Sequence, residues 1–211
     1  STFIDGIYQV PKGHFLSVKD GKYELVKWYH GVDFEFDSTI FSNYNDTVDF
    51  VEELLTDAID KRLRADVPVC ITLSGGLDSS VIYTLIKDNL KRHIQPYTYT
   101  HPGSPTDEFY KVSKLVEKYN DFVCCVSADT SISVRDLEES LYFLEFPTWN
   151  PSSVAYMDMY KSIAKGGYKV VIEGHASDEI LGGYSYVIRS AVFEYIKSFD
   201  FKKAKEVINV L

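Results

Sequence analysis

The amino-acid sequence predicts an α/β fold: a parallel sheet with helices on both faces, preceded by a small N-terminal β-hairpin. Two observations support this fold class. Short apolar runs alternate with segments whose apolar residues recur at helical spacing, which is typical of βαβ units. The apolar runs are almost unbroken, as expected for parallel strands that are buried on both faces. With 211 residues, the chain is long enough for one main domain and a small appendage.

The hairpin is predicted near the N-terminus. Apolar and polar residues alternate across residues 13–29 around Asp20-Gly21, a dipeptide that suits the positive φ angles of a tight turn. Residues 32–45 carry several acidic side chains and show no usable period, so they are predicted to be a linker. We therefore divide the chain into residues 1–45, a hairpin and linker, and a main domain of residues 46–211.

The main domain is predicted to alternate helices with strands. An amphipathic helix with Asp46 or Thr47 as its N-cap opens the domain, and a capping box at Ser133 and Asp136 opens a later helix. The predicted helices cover residues 47–64, 79–90, 107–119, 134–143 and 154–165. The predicted strands cover residues 67–73, 95–100, 122–126 and 169–173. Ligands of such sheets bind at the carboxyl ends of the strands.

The composition excludes several classes of protein. Hydrophobic residues make up 45% of the chain and charged residues 25%, which is typical of globular domains and not of disordered or fibrous chains. No apolar run approaches the roughly 20 residues of a membrane span and no signal peptide is recognisable, so we expect a cytoplasmic protein with no membrane contact. The formal net charge of −9 argues against a nucleic-acid partner, because Lys and Arg supply most of that affinity.

The three cysteines, Cys70, Cys124 and Cys125, all lie in predicted strands. Neighbouring residues of a strand point to opposite faces, so Cys124 and Cys125 are poorly placed to hold one zinc ion together. We interpret all three as small buried hydrophobic residues in a reducing compartment.

A glycine- and serine-rich segment, L-S-G-G-L-D-S-S at residues 73–80, joins a predicted strand to a predicted helix. Gly75 and Gly76 allow the backbone to approach an anion closely, and the first amides of the helix can donate to it. Hydroxyl groups that can add further donors belong to Ser74, Ser79 and Ser80. The segment is therefore predicted to bind phosphate, and the alternative is a capped helix that follows a tight turn.

Asp78 lies within this segment, where its carboxylate would repel a bare phosphate. A Mg²⁺ ion between the two resolves the conflict, because this hard cation takes carboxylate and phosphate oxygens together. We therefore predict that the segment binds a phosphate group together with Mg²⁺.

Three segments together resemble one protein family. S-G-G-L-D-S-S resembles the pyrophosphate loop of the N-type ATP pyrophosphatases, which include asparagine, GMP, NAD and argininosuccinate synthetases. E-G-H-A-S-D-E-I-L-G-G-Y at residues 173–184 resembles the S-G-E-G-S-D-E-x-x-G-G-Y signature of asparagine synthetases. P-G-S-P at residues 102–105, followed by Asp107, is also similar to a segment of that family. The resemblance covers residues 67–184 and implies an adenine nucleotide α-hydrolase-like fold.

The resemblance also implies site residues. Asp78 and Asp178 would share Mg²⁺ and pyrophosphate, although Asp178 could instead be an acidic residue that caps a helix. Backbone groups at Leu73 and around Tyr99 would contact adenine, and Gly174 would pass beneath the nucleotide. The implied first step is cleavage of ATP to pyrophosphate and an acyl-adenylate.

Two departures from the family pattern concern the catalytic residues. His175 and Ala176 stand where the family has glutamate and glycine. Histidine can accept a proton from an incoming amine near neutral pH, so His175 is either a general base or a loop residue that only forms hydrogen bonds. The loop at residues 145–153 lacks the arginine that would hold the α-carboxylate of aspartate. In that loop, Glu145 either touches substrate or ends a helix.

The resemblance implies several partners. Residues 1–45 resemble the end of the family's glutaminase domain, so a glutaminase domain or another ammonia source is expected, together with a small-molecule carboxylate substrate. The lysines between residues 197 and 205 lie too early for the family's catalytic lysine, so the chain is expected to be part of a longer protein. The oligomeric state is left open, with a homodimer as one option.

Three functions remain open at this stage. The first is asparagine synthesis from aspartate, ATP and glutamine or ammonia, with AMP and pyrophosphate as further products. The second is the same chemistry on a different carboxylate or amine, as in lactam or peptide-ring formation. The third is a nucleotide-binding module that has lost catalysis. Exchange of pyrophosphate into ATP, measured with a panel of acids, separates them.

Overall fold

The N-terminal hairpin pairs two strands, β1 (His14–Lys19) and β2 (Lys22–Lys27), in antiparallel register. The two turn residues, Asp20 and Gly21, have φ angles of 51° and 69°, as a tight hairpin turn requires. The predicted hairpin is confirmed. The structure is a computed structural model that describes residues 2–30, 43–105, 107–127, 132–147 and 152–209, so most of the predicted linker lies outside the described residues.

A four-stranded parallel sheet and eight helices follow the hairpin in the described part of the chain. The helices are α1 (Tyr44–Arg62), α2 (Leu77–Asp88), α3 (Phe109–Glu117), α4 (Val134–Leu144), α5 (Ser152–Lys165), α6 (Ser177–Leu181), α7 (Ser185–Lys197) and α8 (Phe201–Ile208). The strands are β3 (Val69–Thr72), β4 (Gln95–Thr100), β5 (Cys124–Ser127) and β6 (Val170–Ile172), in the spatial order β5-β4-β3-β6. None of these helices is long and apolar enough to cross a membrane.

Helices cover both faces of the sheet. Ile71 of β3 belongs to a buried cluster that includes residues of α1, α2 and α3, among them Ile59, Ile86 and Val112. Its neighbour Cys70 points to the opposite face and packs with Met159 and Ile163 of α5. Successive side chains of β3 therefore pack against helices on opposite faces of the sheet, as the sequence predicted.

A buried ion pair joins α2 to the segment before β5. The carboxylate of Asp121 lies 2.8 Å from Nζ of Lys87 and accepts a hydrogen bond from the hydroxyl of Tyr83. The two charged side chains are only 11% and 13% exposed. Burial tends to raise the pKa of Asp121, but the hydrogen bonds from Lys87 and Tyr83 outweigh it and hold that pKa below its usual value.

Every strand and helix that the sequence predicted is present, with ends shifted by a few residues. The helices α6, α7 and α8 were not predicted. The N-cap of α1 was predicted wrongly: Asn43 occupies it, because its side chain accepts a hydrogen bond from the backbone amide of Asp46 at 3.1 Å. This cap starts the helix three residues before the predicted position.

The prediction that all three cysteines are buried is partly wrong. Cys70 is fully buried, and burial raises the pKa of its thiol to about 11. Cys124 is half-buried, but Cys125 is exposed. The reason is that β5 is an edge strand, so one of its faces lacks the cover that the central strands have.

Candidate functional site

A cavity of about 800 Å³ lies at the carboxyl ends of β3, β4 and β6. β3 lies between β4 and β6 in the sheet, so the segments that follow β3 and β6 are neighbours in space. The cavity contains most of the residues singled out from the sequence: Leu73, Ser74, Gly76, Asp78, Ser79, Tyr99, Gly174, His175 and Asp178. Its volume is within the range of small-molecule and cofactor sites, which is roughly 300–1,000 Å³.

The segment after β3 is held in shape by its own hydroxyl groups. Oγ of Ser79 accepts a hydrogen bond from the backbone amide of Ser74 at 3.2 Å and lies 3.2 Å from that residue's Oγ. Oγ of Ser74 accepts in turn from the amide of Gly76. Gly76 is the N-cap of α2 and has no side chain to occupy the first amides of that helix, so they are available to a ligand.

Two members of the predicted loop support it from outside the cavity. Gly75 has a φ of 79°, and a Cβ atom added there would lie 2.9 Å from Cβ of Glu108 and 3.2 Å from its backbone oxygen. The hydroxyl of Ser80 donates to the backbone oxygen of Gly76 at 2.7 Å. Neither residue lines the cavity, so their role in this structure is to fix the backbone of the loop.

The segment after β6 touches the start of α2 at Gly174. A Cβ atom at this position would lie 2.9 Å from the backbone nitrogen of Ser79 and 3.1 Å from Cβ of Asp78. The absence of a side chain at Gly174 is therefore what allows the two segments to meet. Asp178 follows on α6, and both aspartates line the same cavity.

The structure constrains how adenine could be recognised. Leu73 lines the cavity, but its backbone amide donates to Tyr97 and its carbonyl accepts from the hydroxyl of Thr98. A base could use only the second lone pair of that carbonyl. The ring of Tyr99 packs edge-to-face against His101, with ring centroids 5.0 Å apart, and both residues line the cavity.

The cavity is acidic. It is lined by six acidic residues: Asp78, Asp107, Glu108, Glu173, Asp178 and Glu179. Among the residues that the structure describes, no lysine or arginine lines it. Hydrogen bonds from the amide of Phe109 and the hydroxyl of Thr100 hold the pKa of Asp107 below its usual value, which keeps this carboxylate charged.

Sequence reasoning assigned no role to several residues that line this cavity, including His101, Glu108, Tyr156 and Glu173. The positions of Glu173 and His101 in the sequence could have indicated this, because each residue immediately follows a strand whose carboxyl end lies at the cavity. Tyr156 lies within α5 and gave no such signal.

His175 lines the cavity and has a close carboxylate partner. Its Nδ1 lies 2.8 Å from Oε2 of Glu173. The other carboxylate oxygen, Oε1, accepts a hydrogen bond of 2.8 Å from the hydroxyl of Tyr160 on α5. Burial and this hydrogen bond raise the pKa of Tyr160 above its usual value, so the hydroxyl remains a donor.

Ala176, the residue after His175, adopts a left-handed backbone conformation with a φ of 69° and a ψ of 9°. This region costs an L-residue with a side chain about 1–2 kcal/mol, whereas glycine enters it freely. Alanine in place of the family's glycine therefore leaves a strained backbone at Ala176, the residue before α6.

Glu145 lies apart from the other predicted residues. It ends α4 in a left-handed conformation with a φ of 51° and does not line the cavity. This position agrees with the helix-end alternative. Of the rest of that loop, residues 148–151 lie outside the described part of the chain.

Comparison with known proteins gives a family match and several relatives. The sequence profile of the asparagine synthase family matches residues 50–206. The chain is 28% identical to the amidase chry2 of Gibberella zeae over 204 residues, and this alignment covers 87% of this chain and 30% of that protein. It is 31% identical to the glutamine-hydrolysing asparagine synthetase of Zea mays over 192 residues, and this alignment covers 83% of this chain and 31% of that protein.

Among solved structures, the NH3-dependent NAD synthetase of Campylobacter jejuni matches at a TM-score of 0.41 and 14% identity, over 77% of this chain and 87% of that one. The chain spans about a third of the length of the curated relatives it matches.

Proposed function

The chain belongs to the asparagine synthase family, and on this premise we propose that it carries the ATP-using half of a ligase that forms amide bonds. A substrate carboxylate attacks the α-phosphate of ATP, and pyrophosphate leaves. An amine then attacks the acyl-adenylate, and AMP leaves. Nitrogen from glutamine, released by a glutaminase domain, is the source that the family suggests.

The observation that carries the proposal is the contact between two loops at neighbouring strand ends. The Ser74–Ser80 loop exposes the first amides of α2, and Gly174 brings the loop after β6 against the same helix start. An anion at these amides would therefore also face the second loop. This arrangement favours a nucleotide whose phosphates lie at α2 and whose remaining parts extend across the β3 and β4 ends.

The residues of the cavity fit a Mg²⁺ ion. Six acidic residues and a polyphosphate would repel each other strongly without a cation. Within the described ranges, no group of three or more His, Cys, Asp or Glu residues is arranged to hold a metal by itself. Mg²⁺ does not require such a group, because it usually binds through one or two carboxylates together with phosphate oxygens and water. Asp78 and Asp178 are the carboxylates that would hold it, and the ion would neutralise the leaving pyrophosphate.

The carboxylate substrate is not required to be aspartate. An α-carboxylate is best held by a bidentate guanidinium, and no arginine among the described residues lines the cavity. This observation favours the second candidate, a synthetase of the same chemistry that acts on a different acid or amine. The similarity to a protein named an amidase agrees with that candidate.

Exchange of labelled pyrophosphate into ATP tests the proposal directly. The exchange requires a reversible adenylation, so we expect it with one acid or a few acids from a panel that includes aspartate. Exchange with aspartate alone would favour asparagine synthesis, and exchange with another acid would favour the second candidate. ATP binding without exchange for any acid would contradict the proposal and leave a nucleotide-binding module.

Asp78→Asn tests the metal assignment. We expect ATP binding to weaken and to lose most of its dependence on Mg²⁺, because one of the two carboxylates that hold the ion is removed. Asp88→Asn is the matched control: Asp88 ends the same helix, and it does not line the cavity. If Asp78→Asn bound ATP with the Mg²⁺ dependence of the unaltered chain, the assignment would be wrong.

A further inference from the structure

Three side chains after β6 and on α5 form a linked chain of hydrogen bonds at the cavity wall. The hydroxyl of Tyr160 donates to Oε1 of Glu173, and Oε2 of Glu173 lies 2.8 Å from Nδ1 of His175. Each oxygen of the Glu173 carboxylate therefore has its own partner. The carboxylate cannot rotate away from the imidazole without losing the hydrogen bond to Tyr160.

The degree of exposure differs along this chain of contacts. The Glu173 side chain is 21% exposed, whereas that of His175 is 66% exposed. The Tyr156 ring stacks on the Tyr160 ring at a centroid distance of 6.4 Å and lies 6.1 Å from the His175 ring. The carboxylate is thus fixed among aromatic rings, and the imidazole extends from it towards the cavity.

This geometry selects one tautomer of His175. A carboxylate accepts hydrogen bonds and does not donate them, so the proton of the neutral imidazole lies on Nδ1. Nε2 then carries the lone pair and is the nitrogen that can accept a proton. The role that sequence reasoning left open for His175 thereby gains a specific acceptor atom.

We propose that Glu173, held by Tyr160, positions His175 so that Nε2 accepts the proton of the amine that attacks the acyl-adenylate. The inference rests on the proposed function. In this step the amine nitrogen forms a C–N bond to the acyl carbon, the bond from that carbon to the AMP oxygen breaks, and AMP leaves with the bonding electron pair. The proton from nitrogen passes to Nε2. Glu173 is a positioning residue, because it acts only through His175.

Glu173 is the partner best placed to influence His175. Other ionisable groups line the same cavity on every side: Asp78, His101, Asp107, Glu108, Tyr156, Asp178, Glu179 and Tyr184. None of their side-chain polar atoms is hydrogen-bonded to the imidazole in the described structure, whereas Glu173 contacts it directly. Removing the Glu173 charge while keeping its shape therefore tests this contact alone.

Glu173→Gln is the first test. The assay contains an acid that supports pyrophosphate exchange, and hydroxylamine or ammonia serves as the amine. Amide formation should slow by roughly tenfold or more relative to pyrophosphate exchange, because general-base catalysis is worth about 10²–10⁴-fold and glutamine lacks the negative charge that faces the imidazolium formed in this step. The loss should appear in the kcat of amide formation and not in the KM for the amine, because the interaction that is removed forms only as the proton moves to Nε2.

Tyr160→Phe is the second test, and it keeps the carboxylate itself. It should slow amide formation less than Glu173→Gln does. Tyr119→Phe is the matched control, because its hydroxyl also donates to a carboxylate at 2.8 Å, that of Asp88, but outside the cavity. Tyr119→Phe should leave both steps unchanged.

The outcomes separate this inference from the proposed function. If Glu173→Gln slowed exchange and amide formation equally, Glu173 would have only a structural role and the inference would be overturned. An unchanged rate of amide formation in Glu173→Gln would overturn it as well. If the unaltered protein supported no exchange with any acid, the proposed function itself would fail, and the inference with it.

Discussion

Gly75 provides the most direct test of how the loop after β3 is built. Its φ of 79° lies in the left-handed region, and the site of an added Cβ is only 2.9 Å from Cβ of Glu108. Gly75→Ala should therefore destabilise the protein in two ways. The left-handed conformation costs alanine about 1–2 kcal/mol, and the overlap with Glu108 costs a further ~1–3 kcal/mol.

Two control substitutions separate these contributions. Gly167 has a similar φ of 85° but nothing within 4 Å of an added Cβ, so Gly167→Ala should cost only the backbone contribution of about 1–2 kcal/mol. Gly76 has an ordinary φ of −74°, and an added Cβ would approach only Oγ of Ser74, at 3.1 Å. We expect Gly76→Ala to cost less than about 1 kcal/mol.

Urea unfolding of the three variants, followed by circular dichroism, measures these free energies. The expected order of destabilisation is Gly75→Ala, then Gly167→Ala, then Gly76→Ala. If Gly75→Ala lost no more than Gly167→Ala, the loop would not be packed against Glu108 as described. If Gly167→Ala lost nothing, the backbone contribution would be refuted as well.

Three further predictions concern the core, the strained loop residue and the cysteines. Asp121→Asn leaves Lys87 buried without its partner and should lower the free energy of unfolding by ~3–5 kcal/mol. Folding lowers the pKa of Asp121, so the ion pair stabilises the protein only where this carboxylate is charged. In urea unfolding, the loss should therefore be full at pH 7 and shrink as the pH falls below about 4. Ala176→Gly relieves the left-handed strain and should raise the free energy of unfolding by about 1 kcal/mol, and a decrease would contradict the backbone assignment. Cys125 should react with iodoacetamide in the folded protein, whereas Cys70 should react only after unfolding; mass spectrometry of digested samples distinguishes the two.

Local patterns in the sequence were sufficient for most of the fold. The strands β3 to β6 are short apolar runs, and the helices between them carry clear helical spacing, so both types of element could be predicted with ends a few residues away. The loop that we predict to bind phosphate could be located because glycine, hydroxyl and helix-start signals occur together within residues 73–80. Such signals depend on neighbours in the chain.

Contacts between distant segments could not be predicted in the same way. Tyr160 lies on a helix and Glu173 at a strand end, and only the packing of α5 against the sheet brings the hydroxyl to the carboxylate. The exposure of Cys125 follows from the position of β5 at the sheet edge, which no local pattern encodes. Glu145 was left open between a substrate contact and a helix end, and its left-handed conformation at the end of α4 agrees with the second alternative.

The strand order has a consequence for the sequence of events during folding. β3 and β6 are neighbours in the sheet, yet the chain forms α2, β4, α3, β5, α4 and α5 between them. A chain emerging from the ribosome can pair β3 with β4 and β5 while β6 is still missing. One wall of the cavity would then be absent. The cavity is therefore completed late, when β6 pairs with β3 and closes the long loop between them. Once β6 has inserted beside β3, a ligand that bridges the two strand ends would hold it in place and raise the stability of the whole sheet.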